Sequence, residues 1–218
     1  WHERFGLRSE QRVALHPGSI AAWTGVDDIV ASVADWPEPW VLVIHTRQDM
    51  RNSERVERLK SLAPEGRVFF SLSPVSRTEY DLLVDSADLG IAFYEPIPGS
   101  AYTQENIRTI GLSSGKIAYF LRAGLPTIVN RAPTIAPMIE RRRCGVAVDD
   151  AGGIPEAIAS IDGDYNAYAL AACRVFDDQL DVSRDFRAVL DRIDGIGTRE
   201  SPGETIETPC APLGTETA

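Results

Sequence analysis

The sequence has few cysteines, little lysine and no long apolar run. Its 218 residues include three widely spaced cysteines without a CxxC pair, which indicates neither a disulfide framework nor a zinc site. No stretch approaches the roughly 20 apolar residues of a membrane helix, and the first residues resemble neither a signal peptide nor an initiator methionine. The sequence therefore predicts a soluble, cytoplasmic chain cut from a longer one.

Positive charge is also scarce. Twenty-two Lys and Arg residues stand against 32 Asp and Glu residues, so the net charge is −10. This charge opposes the counterion-release attraction behind most nucleic-acid binding, and no nucleic-acid partner is expected. An apolar content of 44% still suits an ordinary globular core and excludes disorder throughout.

Several common cofactor and nucleophile motifs are missing. Residues 16–21 follow the first predicted strand without a GxGxxG pattern, and neither a P-loop nor a GxSxG elbow occurs. The run Asp162–Asp164 formally matches a DxD metal motif, but Gly163 as a turn residue and Asp164 as a helix N-cap explain it better. We predict no metal and no cofactor.

Short β-branched runs alternate with segments of helical period, the pattern of a parallel sheet flanked by helices. The expected fold is a Rossmann-like, doubly wound α/β domain, because the strands are apolar enough for burial on both faces. Six strands are predicted: Arg12–His16, Trp40–His45, Arg67–Ser71, Asp88–Tyr94, Pro126–Val129 and Gly145–Val148.

Helices are predicted between the strands and after them. The intervening helices are Asp27–Ala34, Asn52–Ala63, Arg77–Ser86, Lys116–Ala123 and Ile135–Arg142. The helical C-terminal extension is Ile154–Ser160, Tyr165–Phe176 and Val182–Ile193. Residues 1–194 are thus expected to form one domain, and residues 195–218, rich in Gly, Thr, Pro and Glu, a disordered tail.

Ligands of open α/β sheets bind beyond the carboxyl ends of the strands, and the densest signal there is Ser113–Lys116. Two hydroxyls, a glycine and an ammonium at a helix start suit a phosphate. Lys116 is one of only two lysines beside twenty arginines. The alternative, equally open on these residues alone, is that a serine only caps the helix and Lys116 is solvated.

The run from Ser113 to Pro126, ending in Ala-Gly-Leu-Pro, resembles the C-terminal, nucleotide-sugar-binding half of GT-B fold glycosyltransferases, near family 4. Residues 13–19, 42–45 and 87–92 resemble the opening strand and glycine loop, the second strand, and the strand before the donor loop. The resemblance extends from about Leu7 to about Ile193.

The resemblance implies a hexosyltransferase that moves a sugar from a nucleoside diphosphate sugar, such as a UDP-sugar, to a glycan or lipid-linked acceptor. An N-terminal acceptor domain, absent from this chain, would lie in the parent protein or in a partner chain. This half alone is then expected to be inactive. A peripheral position at the inner face of the membrane is also consistent with such an acceptor.

The resemblance also assigns substrate-binding residues, while leaving catalytic residues unidentified. The diphosphate would face Lys116 and its neighbours, with the glycine loop beneath it and the base near the third-strand loop. Residues 95–114, after the fourth strand, are expected to form the longest loop, in which Asn106 would order the serine loop or cap a short turn. The complete predicted set is Gly18, Ser19, Val75, Asn106, Ser113, Ser114, Gly115, Lys116 and Tyr119.

Charge compensation for the diphosphate is reduced in this sequence. Ser19 and Thr24 stand where the family commonly has an arginine and a lysine, which leaves Lys116 and helix-terminal amides for that role. Arg108 is open between the same role and a solvated position. His16 is undecided between the cleft and the core, and a packed position is favoured for His45.

Two other functions remain open on the sequence. One is a nucleotide-binding module that is catalytically silent or needs a separate acceptor-domain partner. The other is a nucleotide-sugar epimerase, which can share this fold and cleft.

Overall fold

The structure, a computed structural model, describes residues 1–197. Its centre is a sheet of six parallel strands in the order β3-β2-β1-β4-β5-β6. The strands are β1 Arg12–Pro17, β2 Trp40–His45, β3 Val68–Ser71, β4 Leu89–Ala92, β5 Thr127–Asn130 and β6 Gly145–Val148. The doubly wound parallel fold predicted from the sequence is confirmed, and each predicted strand is present with ends shifted by at most a few residues.

Ten α-helices lie in the described part of the chain. They are α1 His2–Phe5, α2 Val26–Ser32, α3 Glu54–Leu62, α4 Arg77–Asp85, α5 Ala101–Thr109, α6 Gly115–Arg122, α7 Ala136–Arg142, α8 Ile154–Gly163, α9 Tyr165–Gln179 and α10 Val182–Gly197. Two of them, α1 and α5, were not predicted. Helix α5 occupies the middle of the segment expected to be a long loop, where Ser100 caps its first turn by accepting a hydrogen bond from the N–H of Thr103.

Apolar side chains cover both faces of the sheet. Along β1, Val13 and Leu15 point to the face covered by α4, α6, α7 and α9, whereas Ala14 points to the face covered by α2, α3 and α8. Every residue of β2 is buried. Continuous apolar strands are therefore required here, because period-two alternation places successive residues in two different cores.

The strand order reverses between β1 and β4, which lie side by side at the centre of the sheet. Connections from these two strands leave in opposite directions, so a crevice opens beyond their carboxyl ends. Gly18 follows β1 there with φ of 115°, a conformation that favours glycine. The topology thus fixes where a ligand site can form before any functional side chain is considered.

A second unit begins at Asp181, and its described residues, 181–197, are Asp181 and α10. One side of this helix carries the exposed apolar residues Val182, Phe186, Val189, Leu190 and Ile193. Residues 195–197, predicted to begin the disordered tail, are instead the last residues of α10. The remainder of that predicted tail lies outside the described residues. No helix in residues 1–197 is long and apolar enough to cross a membrane.

Helix α6 lies close to the sheet because β4 has a glycine beneath it. A β-carbon added at Gly90 would lie 2.3 Å from Cδ2 of the buried Phe120 ring. No rotation of a ring held at that position relieves such an overlap without moving α6 or the strand. Gly90 therefore allows the short distance between the sheet and α6, the helix that carries Lys116.

We expect Gly90→Ala to lower the free energy of unfolding by about 1–3 kcal/mol, the usual cost of overpacking a core. Urea denaturation followed by circular dichroism measures this change. Gly163→Ala is the control, because an added β-carbon there meets no atom within 4 Å. Equal stability of the two variants would show that Gly90 is not a packing constraint.

Candidate functional site

A cavity of about 510 Å³ lies beyond the carboxyl ends of β1 to β4. It is bounded by the loops after these strands and by the start of α6. Seventeen residues line it: Gly18, Ser19, Trp23, His45, Arg47, Pro74, Val75, Ser76, Arg77, Tyr80, Tyr94, Ile110, Ser113, Ser114, Gly115, Lys116 and Tyr119. Its position is the one that the reversal of strand order predicts.

The structure brings together eight of the nine residues predicted to bind substrate. These are Gly18, Ser19, Val75, Ser113, Ser114, Gly115, Lys116 and Tyr119. The ninth, Asn106, is exposed on α5 and does not line the cavity. Because residues 101–109 are helical, Asn106 is a mid-helix residue and not the cap of a short turn.

The cavity is cationic, although the chain as a whole is acidic. Arg47, Arg77 and Lys116 line it, and no aspartate or glutamate is among its lining residues. The chain carries a net charge of −10, so this concentration of positive groups is local. The acidic residues elsewhere on the chain do not cancel the positive potential in the cavity, since electric fields are focused in a cleft with low-dielectric walls. The cavity is therefore suited to an anion.

Lys116 is the most unusual of these cations. Its Nζ is shielded from solvent and has no hydrogen-bond partner among the described residues, and it lies 5.0 Å from the centre of the Tyr94 ring. Burial, followed by the charge of Arg47, lowers the pKa of Lys116 from 10.5 to about 7. The interpretation that Lys116 is solvated is thus wrong.

Ser114 holds the start of α6 in place. Its Oγ accepts a hydrogen bond from the N–H of Ile117 and forms a second, short hydrogen bond with the hydroxyl of Tyr94. The N–H groups of Gly115 and Lys116 precede the first intrahelical bond and have no acceptor in the helix. Capping and anion binding are therefore compatible here, since Ser114 caps the helix while two backbone donors remain available.

His16, undecided on the sequence, is fully buried beside Lys116. Its Nδ1 is 3.2 Å from the carbonyl oxygen of Ile91, and its Nε2 has no hydrogen-bond partner among the described residues. Burial and then the charge of Lys116 hold the pKa of His16 well below 6.5. This histidine is a neutral core residue that contributes no positive charge to the cavity.

His45 is packed among aromatic rings, as favoured on the sequence, and also lines the cavity. Its Nδ1 is 2.9 Å from Oγ of Ser71, and its ring lies against Trp1 and Tyr80. Burial, then the charge of Arg4, lowers the pKa of His45 to about 4. Tyr80 in turn meets Tyr119 edge to face, with ring centres 4.9 Å apart. Together these rings form an aromatic wall near Val75.

Nine of the seventeen lining residues lie outside the set predicted to bind substrate, and Arg47, Tyr80 and Trp23 are among them. Arg47 follows β2 by two positions, and the rule that loops after strands carry ligands applies to it. Tyr80 and Trp23 lie in helical turns without a recognisable motif, and only the folded chain places them at the cavity. Arg108, expected as a possible phosphate ligand, is instead exposed on α5 and pairs with Glu105.

The DxD-like run lies elsewhere. Asp162 pairs with Arg12 and accepts a hydrogen bond from Nε1 of Trp40, at the amino ends of β1 and β2. Helix α8 continues to Gly163, which is therefore not a turn residue, and Asp164 precedes α9 without a side-chain capping bond. Within residues 1–197, no group of three His, Cys, Asp or Glu side chains could hold a metal ion.

Comparisons with known proteins agree with this fold. Residues 84–183 match the family model of the Glucosyltransferase 3-like, C-terminal domain. Anabaena Alr3699/HepE, solved in complex with UDP, is similar with a TM-score of 0.64 and 16% identity, over 89% of this chain and 51% of that one. The chain has the fold of a GT-B glycosyltransferase C-terminal domain.

Two further structures show the same GT-B domain. WaaG, a glycosyltransferase involved in lipopolysaccharide biosynthesis, has a TM-score of 0.57 and 20% identity over 82% of this chain and 46% of its own. The C-terminal domain of the group 1 glycosyl transferase LpcC from Francisella tularensis has a TM-score of 0.57 and 11% identity, over 80% of this chain and 87% of that one. The chain spans about half the length of WaaG and HepE. No curated protein sequence matches it.

The unpaired Lys116 makes a prediction about stability. The unfolded lysine has its ordinary pKa, whereas the folded one has a pKa of about 7, so between these values the unfolded state binds more protons. Burial of Lys116 therefore lowers the free energy of unfolding. This cost has its full value below pH 7 and disappears as the pH rises toward 10. Lys116→Met removes the cost.

We expect Lys116→Met to raise the free energy of unfolding by about 2–4 kcal/mol at pH 7.5 and by far less at pH 10. Urea denaturation at the two pH values measures the difference. Lys60→Met, at the exposed lysine paired with Glu57, is the control and should change the free energy of unfolding little. A loss of stability on Lys116→Met at pH 7.5 would contradict the assignment of Lys116 as a strained, unpaired group.

Proposed function

We propose that this chain is the donor-binding half of a glycosyltransferase. It binds a nucleoside diphosphate sugar in the cationic cavity and transfers the sugar to a glycan or lipid-linked acceptor. The acceptor is held by a second half, on the same parent protein or on a partner chain. The half-length coverage of WaaG and HepE supports this division of labour.

The observation that carries the proposal is a buried ammonium without a counter-ion in a cavity without carboxylates. An unpaired buried charge is costly, so a fold that retains one has a use for it. A pyrophosphate supplies negative charge and acceptor oxygens at once. The similarity to HepE, whose structures contain UDP and UDP-glucose, supports a nucleotide sugar as the source of that pyrophosphate.

The proposed pose follows from the lining. The pyrophosphate lies between Lys116, the N–H groups at the start of α6 and the backbone of Gly18 and Ser19. Arg47 adds a second cation from the loop after β2. The base lies toward Val75 and the aromatic wall, because that end of the cavity offers flat apolar surface and no further cation besides Arg77.

The same groups would contribute to transfer. When the bond between the sugar and the diphosphate breaks, the leaving diphosphate gains negative charge. Preorganised donors and cations at that position stabilise the transition state more than the ground state. Lys116 and Arg47 are the residues we assign to this role.

Binding of UDP to the purified chain tests the proposal, with titration calorimetry as the measurement. We expect Lys116→Gln to weaken UDP binding about 10- to 100-fold, since a charge-assisted contact is worth roughly 1.5–3 kcal/mol. Lys60→Gln, the matched control at an exposed position of α3, should leave the affinity unchanged. Failure of the wild type to bind UDP or any other nucleoside diphosphate, with the fold intact, would refute the proposal.

A second variant tests the cation that sequence motifs did not reveal. Arg47 is exposed and forms no hydrogen bond or ion pair with the described residues, so Arg47→Ala disrupts no internal contact. We expect about tenfold weaker UDP binding and a smaller loss for uridine monophosphate, because fewer phosphate charges are then neutralised. Arg51→Ala, four positions along and paired with Asp49, is the control. Equal losses in the two variants would remove Arg47 from the site.

Transfer itself is tested with the second half present. Release of sugar onto an acceptor only after an acceptor-binding half is added, fused or separate, would support a transferase divided between two halves. Conversion of a nucleotide sugar to its epimer without any acceptor would instead identify an epimerase.

A further inference from the structure

Strand β6 is an edge of the sheet, and no strand within residues 1–197 pairs with its outer side. The N–H of Thr127, on β5, donates to the carbonyl oxygen of Cys144. Because the backbone groups of successive residues point to opposite sides of a strand, those of Gly145 and Ala147 face away from the sheet. The strand contains no proline and no charged residue, the usual devices that prevent such an edge from pairing with another chain.

Two cavities give access to this edge. One, of about 490 Å³, lies beside α8 at the carboxyl end of β6, and the other, of about 300 Å³, lies beside α7 at its amino end. Val146, Ala147 and Ser160 line both cavities, so the two form one groove along the strand. Val146 is partly exposed in this groove. An added strand therefore has room beside β6.

The sequence around β6 carries opposite charges at its two ends. Arg142–Arg143 precede the strand, and Asp149–Asp150 follow it. The side chain of Arg143 is 75% exposed and that of Asp149 is 83% exposed, although each has an ion-pair partner within its own chain. Each can thus meet a second charge from outside. A segment that is basic at one end, apolar in the centre and acidic at the other end is complementary to itself in antiparallel orientation.

Hydrogen bonding selects one antiparallel register for two copies of β6. Residues that exchange hydrogen bonds in an antiparallel ladder lie directly opposite each other, so outward-facing residues must meet outward-facing residues. Pairing Gly145 with Ala147 of the partner subunit uses all the outward groups. The same register brings the Val146 side chains of the two copies together, as a cross-strand pair of β-branched residues. It also places Arg143 opposite Asp149 of the partner subunit.

We propose that two copies of this chain associate by antiparallel pairing of their β6 strands, which joins the two sheets into one. A second copy is the occupant that fits, because the same segment supplies the outward backbone groups, the apolar centre and the reversed order of charges. The inference is independent of the proposed nucleotide site. Strands β4 and β5 separate β6 from β1, and the groove shares no lining residue with the cationic cavity.

Charge reversal at the two ends of the strand tests both the surface and the register. Arg143→Asp makes position 143 acidic, so that it faces Asp149 of the partner subunit. Asp149→Arg makes position 149 basic, so that it faces Arg143 of the partner subunit. Arg131, which pairs with Asp149, keeps its second partner, Glu140, in the latter variant.

We expect each variant alone to dimerise about 100-fold more weakly than the wild type, because like charges then face each other at two symmetric positions. An equimolar mixture of the two variants should dimerise as the wild type does, since every acidic position then faces a basic one. Sedimentation equilibrium of the full chain at micromolar concentrations is the measurement. The wild type and the mixture should show twice the 23.9 kDa of one chain, and each variant alone the mass of one chain.

A variant at the centre of the strand leaves the charged ends unchanged, and it serves if circular dichroism shows that a charge-reversed variant fails to fold. Val146→Lys places two ammonium groups opposite each other and should also weaken the dimer. Val68→Lys is the matched control, because Val68 is a partly buried valine of β3, the other edge strand, and packs on the same face of the sheet. It should leave the dimer unchanged.

The proposal is overturned if the wild type keeps the mass of one chain throughout this range. It is equally overturned if the wild type associates and the β6 variants associate to the same extent, because the contact then lies elsewhere on the chain. A mixture of the two charge-reversed variants that stays at the mass of one chain would contradict the register.

Discussion

The ammonium of Lys116, buried without an anionic partner, is the constraint on which the site depends. A protein gains no stability from such a group, because its charged form is poorly solvated and its neutral form forfeits protonation at neutral pH. The groups that interact with Lys116 include a neutral His16, the ring of Tyr94 and a second cation at Arg47, and none of these three supplies negative charge. The fold thus preorganises a charge for a ligand, at a cost in stability that the rest of the core offsets.

That cost can be sustained because the scaffold around Lys116 is rigid. Helix α6 is held against the sheet by Phe120 over Gly90, and its first turn is held by the bonds of Ser114 to Tyr94 and Ile117. These contacts fix the position of the helix backbone from which the Lys116 side chain extends. A preorganised donor of this kind loses little freedom when an anion arrives, which favours binding. Helix α6 therefore links the packing of Phe120 on the sheet to the position of Lys116 in the cavity.

Much of this architecture could be predicted from the sequence. The strands are short apolar runs whose burial on both faces follows from composition, and the phosphate-facing turn is marked by consecutive hydroxyls, a glycine and a rare lysine. The prediction was wrong where local signals were weak or ambiguous. Asn106 and Arg108 were assigned to a loop that is in fact helix α5. Arg47 follows β2 by two positions, so the rule that loops after strands carry ligands could have identified it. Tyr80 reaches the cavity only through the packing of α4, and no local pattern encodes that contact.

The most direct test of a buried ammonium that awaits an anion is the number of protons taken up when UDP binds. Titration calorimetry in buffers of different ionisation enthalpy gives this number, and Lys116→Gln, saturated with UDP, corrects for the nucleotide's own titration. With a pKa of about 7 for free Lys116, we predict uptake of about 0.5 proton at pH 7 and about 0.9 at pH 8 that the variant lacks. Equal uptake by wild type and variant would contradict the account.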